Sequence, residues 1–286
     1  MSNIVERRLK LKEILRDAKM TVAPSCFNPL SARLIESVGF NAVHVSGSSL
    51  SRFAGYSDIG LLDLSEMVKI HERIVEAVNI PAIGDAETGF GGPVHTVRTV
   101  RAYERAGVAG IHIEDELTPK KSGGGPGSHF AIPLTEMVEK LKAAVDARTD
   151  QSFVIVARSN ARDCESFAQV TERVAAYSET GADAIWPGVR LREELEKISE
   201  FTTLPLVGVP PRPAVSLEAY ERCGFKVACI PSILGQAATY AMWDLLEIFK
   251  KTGSDETFWQ KHPNADRWRR WFNEMGKEEE EKILKK

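Results

Sequence analysis

The sequence predicts an α/β fold, a (β/α)8 TIM barrel followed by a C-terminal helical extension. Eight short apolar segments with the pattern of buried strands alternate with amphipathic segments of helical period, which is the order that a barrel of strand–helix units requires. Three helical segments are followed by a glycine, Gly39, Gly107 or Gly181, the residue that most readily adopts the left-handed conformation of a helix C-cap. A chain of 286 residues is long enough for eight such units.

The predicted strands are short runs rich in Val, Ile and Ala, at residues 20–24, 42–46, 80–84, 110–115, 153–159, 183–187, 205–209 and 226–231. The predicted helices carry apolar residues every three or four positions, at residues 30–38, 64–78, 94–106, 134–147, 167–180, 191–200, 215–222 and 234–250. A doubly wound open sheet is the alternative. It needs a glycine-rich dinucleotide loop after the first strand, where this chain has Ala-Pro-Ser-Cys-Phe-Asn.

Two segments lie outside this alternation. Residues 118–132 form a glycine-rich loop after the fourth strand, and we interpret it as an active-site lid within a barrel of residues 1–251. Residues 252–286 form a helical tail that contains Trp259, Trp268, Trp271 and Phe272. A lone helix has no need of so many aromatic side chains, so we expect the tail to pack on the barrel or on a neighbouring subunit, in a homodimer or homotetramer.

The composition argues against several function classes. The formal net charge is -3, and no basic stripe suggests a nucleic-acid surface. No apolar run is long enough to cross a bilayer, and the N-terminal residues lack the apolar segment of a signal peptide. The four cysteines form no C-x-x-C pair, which is typical of reduced thiols. We therefore expect a cytoplasmic protein that acts on a small molecule and contacts neither nucleic acid nor membrane.

Acidic residues follow two consecutive predicted strands. Asp85 and Glu87 end the third, Glu114 ends the fourth, and Asp58 lies in the loop after the second. The C-terminal ends of barrel strands share one face of the molecule, and clustered carboxylates there suit a hard divalent cation. The structural alternatives are that Asp58 and Glu87 are solvated turn residues, and that Glu114 caps a loop or pairs with Lys120.

Other strand ends supply groups that can bind an anion. Arg158 closes an apolar strand, where a charge requires a partner, and small residues with free backbone N–H groups follow the second strand at Ser46, Gly47 and Ser48. Trp186 ends the sixth strand. These residues are the predicted substrate-binding groups, together with Asp85. His112 alternates with core residues, and it is either a site residue or a hydrogen-bonded interior histidine.

The chain resembles the isocitrate lyase/phosphoenolpyruvate mutase superfamily. The matching stretches are Val-Ser-Gly-Ser-Ser at 45–49, Gly-Asp-Ala-Glu-Thr-Gly-Phe-Gly at 84–91, Gly-Ile-His-Ile-Glu-Asp at 110–115, Pro-Lys-Lys-Ser-Gly at 119–123 and Ala-Arg-Ser-Asn-Ala at 157–161. The resemblance implies a barrel whose final helix is often exchanged between subunits. It also implies Mg2+, or Mn2+, bound through Asp85, with Asp58, Glu87 and Glu114 acting largely through waters. A 2-oxo acid or its enolate would be bound by Ser46, Gly47 and Arg158.

Two departures from that family bear on the reaction. Members that cleave isocitrate, methylisocitrate or dimethylmalate carry a lid cysteine, assigned as the acid that protonates the departing enolate, where this chain has Ser122. A serine hydroxyl is a far poorer proton donor than a thiol. Their glutamate after the sixth strand is replaced by Gly188. The candidate catalytic residues are therefore Ser122, Lys120, Glu114 and His112.

Together these features predict a Mg2+-dependent lyase that acts on a small 2-oxo or 2-hydroxy diacid through a metal-stabilised pyruvate enolate. Decarboxylation of oxaloacetate needs only the residues that bind the metal, the 2-oxo carboxylate and the enolate, and this chain has those residues. The alternatives are P–C bond chemistry on phosphonopyruvate, cleavage of a branched malate or methylisocitrate, and a non-catalytic barrel that binds a metabolite.

Overall fold

Eight parallel strands close into a barrel in sequence order, which confirms the predicted fold class. The structure, a computed structural model, describes residues 3–118, 120, 130–262 and 265–284. The strands are β1 Thr21–Cys26, β2 Val43–Val45, β3 Ala82–Asp85, β4 Gly110–Glu114, β5 Val154–Arg158, β6 Ala184–Trp186, β7 Leu206–Gly208 and β8 Phe225–Ile230. Each overlaps the segment predicted from its apolar pattern.

Helices precede, separate and follow the strands along the chain. Their bounds are α1 Ile4–Arg16, α2 Pro29–Val38, α3 Gly47–Phe53, α4 Leu64–Ala77, α5 Pro93–Arg105, α6 Leu134–Ala147, α7 Phe167–Ser178, α8 Arg192–Leu195, α9 Leu217–Arg222, α10 Ile233–Thr252, α11 Glu256–Lys261 and α12 Ala265–Leu284. Capping boxes at Asn28, Asp63 and Ser166 start α2, α4 and α7. The predicted helix at 191–200 is divided into α8 and a 3-10 turn, Ile198–Phe201.

The N-terminal helix α1 has no counterpart among the predicted helices. Its Leu11, Ile14 and Leu15 belong to the same hydrophobic cluster as the side chains inside the barrel. Arg7 donates hydrogen bonds to the carbonyl oxygens of Val75 and Val78, at 2.7 and 3.0 Å. The helix therefore covers the interior of the barrel, with buried arginine as well as apolar contacts.

Strand register brings the predicted site residues side by side. Asp85 at the end of β3 is paired with His112 in β4, and Glu114 at the end of β4 is paired with Arg158 in β5. Arg158 is in turn paired with Trp186 at the end of β6. Because these residues all lie at or near strand C-termini, they share the end of the barrel where such enzymes place their reacting groups.

The chain forms two compact units, Met1–Gly235 and Gln236–Lys286. The first contains the whole barrel. Within the second, the aromatic rings of Phe258 and Trp259 meet edge to face, and Trp268 and Trp271 both contact Phe272. Over the part of the chain that the structure describes, none of the helices has both the length and the apolar character needed to cross a membrane.

Candidate active site

Four carboxylates approach one another at the C-terminal end of the barrel. Asp85 and Glu114 are the last residues of β3 and β4, and both are buried. Glu87 lies two residues beyond β3 and has a left-handed backbone, with φ of 51°, a conformation that costs energy in a non-glycine residue. The turn is held because the Glu87 N–H donates to Asp85 Oδ1 at 2.9 Å. Asp58 lies in the loop between α3 and α4.

Two cationic side chains enter this acidic cluster. Lys120 Nζ forms ion pairs with Glu87 Oε2 and with Glu114 Oε1. Arg158 Nη2 lies 3.2 Å from Glu114 Oε2, and Arg158 Nη1 lies 3.9 Å from Asp85 Oδ2. With all four carboxylates ionised, the two cations leave a formal charge of two negative units. A divalent cation would balance that charge.

The pKa values of the carboxyl groups shift in different directions across the cluster. Burial and the neighbouring Asp85 raise the pKa of Glu87 to about 8, although Lys120 opposes the shift. Burial also raises the pKa of Asp58. For Glu114, burial acts to raise the pKa, but Arg158 and Lys120 outweigh it and hold the pKa below its usual value. The two cations therefore satisfy only part of the cluster.

Gly47 allows the close approach of the start of α3 to these acids. A Cβ atom at this position would collide with Glu87 Oε1 and would lie 2.9 Å from Asp85 Oδ2. The Gly47 N–H instead donates to Asp85 Oδ2 at 2.9 Å. Tyr103 donates from its hydroxyl to the Asp85 carbonyl oxygen at 2.8 Å. Both the carboxylate and the backbone of Asp85 are thus fixed.

A second layer of hydrogen bonds orients Glu114 and Arg158. Asn160 Nδ2 donates to Glu114 Oε2 at 2.9 Å, and Arg158 Nε donates to Asn160 Oδ1 at 3.3 Å. The Asn160 backbone is itself held by Asp115, whose Oδ1 accepts from the Asn160 N–H at 2.8 Å. Asp115 also accepts from the Ser159 and Tyr177 hydroxyls, so it supports the site without facing it.

These residues fit a hydrated divalent cation. Among the described residues, no three His, Cys, Asp or Glu side chains are arranged to hold a metal ion directly. Mg2+ is usually held by one or two carboxylates and keeps several waters, and carboxylates such as those of this cluster are ligands of the kind that it prefers. Asp58 Oδ1 is buried and has no hydrogen-bond partner among the described residues. An oxygen that binds a water molecule or an ion would show this pattern. The four acidic side chains of the cluster offer a metal ion only carboxylate oxygens, which are hard ligands.

The structure brings most of the predicted site residues together. Asp58, Asp85, Glu87, Glu114, Lys120 and Arg158 interact electrostatically, and the backbone of Gly47 contacts Asp85. Ser46 caps α3 by accepting from the Ser49 N–H, and Ser48 lies half-buried in the first turn of that helix. Ser122 lies outside the described residues, as does most of the predicted lid. Leu117 and Phe130 pair across the ends of the lid, where the Leu117 N–H donates to the Phe130 carbonyl at 2.7 Å.

His44 was not among the site residues predicted from the sequence. It lies inside the barrel in β2, with its Nε2 only 3.0 Å from Nε2 of His112. Trp186 packs against both imidazole rings, with centroid distances of 5.8 Å to His44 and 4.8 Å to His112. A histidine at a core position of a strand is the signal that was available, but only the side-chain geometry shows that the two rings, on β2 and β4, meet.

Comparison with known proteins gives one family. The family model described as phosphoenolpyruvate phosphomutase matches residues 11–249. The chain is 39% identical over 247 residues to 2,3-dimethylmalate lyase of Eubacterium barkeri, covering 84% of this chain and 85% of that protein. It is 38% identical over 202 residues to oxaloacetate decarboxylase of Pseudomonas putida, covering 70% of this chain and 69% of that protein.

The barrel also superposes on solved structures. A phosphonopyruvate hydrolase in complex with oxalate and Mg2+ matches with a TM-score of 0.79 and 28% sequence identity, over 87% of this chain and 88% of that one.

Proposed function

Because the chain belongs to the isocitrate lyase/phosphoenolpyruvate mutase superfamily, we propose that it is a Mg2+-dependent carbon–carbon lyase for a small 2-oxo or 2-hydroxy diacid. Decarboxylation of oxaloacetate is the reaction that the site supports best. The observation that carries the proposal is the acidic cluster beside Arg158, in which four carboxylates outnumber two cations. Such a cluster provides for a divalent cation and a carboxylate substrate together.

Asp85 would hold the cation directly, and Asp58, Glu87 and Glu114 would hold it through water. Mg2+, or Mn2+ in its place, supplies a Lewis acid that polarises a 2-oxo group. The chain contributes the position and the charge of the four carboxylates. Asp85 is suited to direct contact because its carboxylate is already oriented by the Gly47 and Glu87 N–H groups.

Arg158 would bind the C1 carboxylate of the substrate. Its guanidinium presents paired N–H donors, and its side chain is 21% exposed, so part of it is accessible to a ligand. With C1 held, the C3–C4 bond breaks, and C4 leaves as CO2. The electron pair of that bond passes to the C2–C3 bond and the C2 oxygen, and water then protonates C3 to give pyruvate. Glu114, Glu87 and Asp85 raise the pKa of Lys120 above its usual value despite burial, so the ammonium stays charged near the developing negative oxygen.

Gly188 is the reason to prefer a small diacid over a tricarboxylate. It has a φ of 68°, and a Cβ there would collide with the carbonyl oxygen of Ser159. A side chain therefore cannot extend from this position, where the resemblance places a substrate-binding glutamate in the larger-substrate lyases. Oxaloacetate has no further substituent for such a residue to bind.

A second candidate is cleavage of a branched malate, which is favoured by the 39% identity to 2,3-dimethylmalate lyase over 84% of the chain. This reaction requires an acid to protonate the departing enolate. Ser122 is the lid residue at the position of the cysteine that the resemblance assigns to this role.

The test is oxaloacetate decay with purified protein and Mg2+, followed as pyruvate formation above the metal-only background. We expect Asp85→Ala and Arg158→Ala each to abolish the activity. Arg192→Ala is the matched control, because Arg192 is exposed and its ion pair is with the exposed Glu196, the residue that follows α8. Loss of oxaloacetate at the background rate would refute the decarboxylase proposal. Pyruvate release from 2,3-dimethylmalate or phosphate release from phosphonopyruvate would then identify the reaction.

We also propose that the chain self-associates through its C-terminal unit. Tyr240, Trp243 and Leu246 on α10 are 76%, 64% and 69% exposed, a large apolar surface for one helix. Light scattering on the purified protein tests this: a dimer or tetramer is expected, and a monomer at micromolar concentration would contradict it.

A further inference from the structure

Four buried polar side chains form a line through the interior of the barrel. Ser25 Oγ in β1 lies 2.7 Å from His44 Nδ1 in β2, and His44 Nε2 lies 3.0 Å from His112 Nε2 in β4. His112 Nδ1 lies 3.6 Å from Asp85 Oδ1 at the end of β3. All four are at most 5% exposed. The line therefore connects a hydroxyl on the first strand to the central carboxylate of the acidic cluster.

The contact between the two histidines restricts where their protons lie. Two nitrogens 3.0 Å apart share one hydrogen, so one ring donates and the other accepts. Both rings are at most 2% exposed, and neither has a carboxylate within hydrogen-bond distance among the described residues. A positive charge on either ring would be buried without a hydrogen-bonded partner, so both rings are assigned as neutral. A neutral imidazole carries one N–H. Once the shared hydrogen is assigned, the tautomer of each ring follows.

Asp85 decides between the two arrangements. If His112 donated to His44, its Nδ1 would present a lone pair to the Asp85 carboxylate, and two negative surfaces would face each other in a buried site. If His44 donates instead, His112 carries its hydrogen on Nδ1 and directs an N–H at Asp85 Oδ1. A distance of 3.6 Å is too long for a hydrogen bond, but the N–H dipole still attracts the carboxylate. His112 Nδ1 has no hydrogen-bond partner among the described residues that would favour the other choice.

We propose that Ser25, His44 and His112 are positioning residues for Asp85. The Ser25 hydroxyl donates to His44 Nδ1, His44 donates from Nε2 to His112 Nε2, and His112 directs its Nδ1–H at Asp85. The carboxylate is then held from the backbone side by Gly47 and Glu87 and from the barrel interior by His112. Groups of this kind orient a ligating carboxylate and tune its affinity for a cation. Only this last step rests on the proposed function of Asp85.

The packing around the pair supports a fixed arrangement. The two rings are tilted by 31° with centroids 5.2 Å apart, and Trp186 covers both. A buried imidazole with an unpaired nitrogen is costly, so a ring in this setting has little freedom to flip. The arrangement uses three of the four imidazole nitrogens in hydrogen bonds and the fourth in the contact with Asp85.

The tautomers can be read directly in metal-free protein labelled with 15N-histidine. Two-bond 1H–15N correlations near pH 7, or neutron crystallography if the oligomer is large, should show hydrogen on Nε2 of His44 and on Nδ1 of His112. Hydrogen on Nε2 of His112, or a cationic ring at either position, would overturn the proposal. This readout needs neither metal nor substrate, so its failure is distinct from failure of the proposed function.

The effect on Asp85 is tested by Mn2+ binding, measured as free Mn2+ by electron paramagnetic resonance. His44→Phe keeps the ring size and removes the donor to His112, and we expect Mn2+ to bind about tenfold more weakly. Ser25→Ala should weaken binding by a smaller factor, and Ser25→Thr, which keeps the hydroxyl, should restore it. Wild-type affinity in folded His44→Phe would overturn the positioning role. No Mn2+ binding by the wild-type protein would refute the cation site itself, while the tautomers still decide the hydrogen-bond line.

Discussion

The guanidinium of Arg158 lies over the indole ring of Trp186, with Cζ 4.9 Å from the ring centroid. Strand register produces this contact, because the two residues are paired across β5 and β6. The indole supports Arg158 on the side away from Glu114 without adding a charge. Arginine held in this way keeps its orientation at a small cost in conformational entropy.

Removal of the aromatic ring at position 186 should therefore weaken substrate binding. We expect Trp186→Leu to lower kcat/KM for oxaloacetate by about fivefold, mainly through KM, since a cation–π contact is worth about 1 kcal/mol. Trp186→Phe keeps an aromatic face and should lose less. Steady-state kinetics of the two variants decide the matter, and equal losses would assign Trp186 a packing role only.

Lys120 competes with a divalent cation for Glu87 and Glu114. We expect Lys120→Met to bind Mn2+ more tightly than the wild-type protein in the absence of substrate, because both carboxylates lose their ammonium partner. Turnover should fall in the same variant. Calorimetric titration with Mn2+ measures the affinity, and Lys10→Met, an exposed lysine on α1, is the control. Weaker Mn2+ binding by Lys120→Met would contradict this account.

The raised pKa of Glu87 predicts a pH dependence of stability in metal-free protein. Unfolding returns the pKa from about 8 to 4.5, so between these values the unfolded chain has released a proton that the folded chain still holds. The contribution of Glu87 to stability is therefore fully present below pH 4.5 and is lost as pH rises through 8. Glu87→Gln should flatten this part of the profile. Thermal denaturation from pH 5 to 8 measures it, and parallel profiles for the two proteins would rule out Glu87 as the cause.

Gly188 and Gly39 form a matched pair for testing steric exclusion. Both have positive φ, but a Cβ at Gly39 meets nothing within 4 Å, whereas at Gly188 it collides with the Ser159 carbonyl. Gly39→Ala should cost about 1 kcal/mol from backbone strain alone. Gly188→Ala should cost clearly more and should also reduce activity, because Ser159 precedes the Asn160 that orients Arg158. Equal melting temperatures for the two variants would show that the backbone around Gly188 shifts to accommodate the added methyl group.

The barrel was predictable because each strand carries a short apolar pattern and the strands repeat at regular intervals. Helix α1 was not, because Arg7 and Arg8 are buried on it through hydrogen bonds to carbonyl oxygens. A sequence pattern assigns arginine to the surface and cannot anticipate those partners. The helix predicted at 191–200 was too long, because its length was predicted from periodicity alone.

In the site, the rule that reacting groups follow the strands placed Asp85, Glu114 and Arg158 on one face, and the structure brings them together. The side chains that hold these residues in place depend on three-dimensional contacts. Nothing in the sequence shows that Asn160 lies between Glu114 and Arg158, or that His44 meets His112. The roles predicted for Ser122 and Lys120 stay predictions until they are tested by substitution.

The ladder pairs Asp85 with His112, Glu114 with Arg158, and Arg158 with Trp186. These side chains are thus aligned by backbone hydrogen bonds that the barrel must form in order to close. Any sequence that forms the barrel aligns these positions in the same way, whereas the loops beyond the strands are not constrained by barrel closure. Natural variation can therefore exchange loops to change the molecule that is cleaved, while the chemistry stays in the part of the chain that is least free to move.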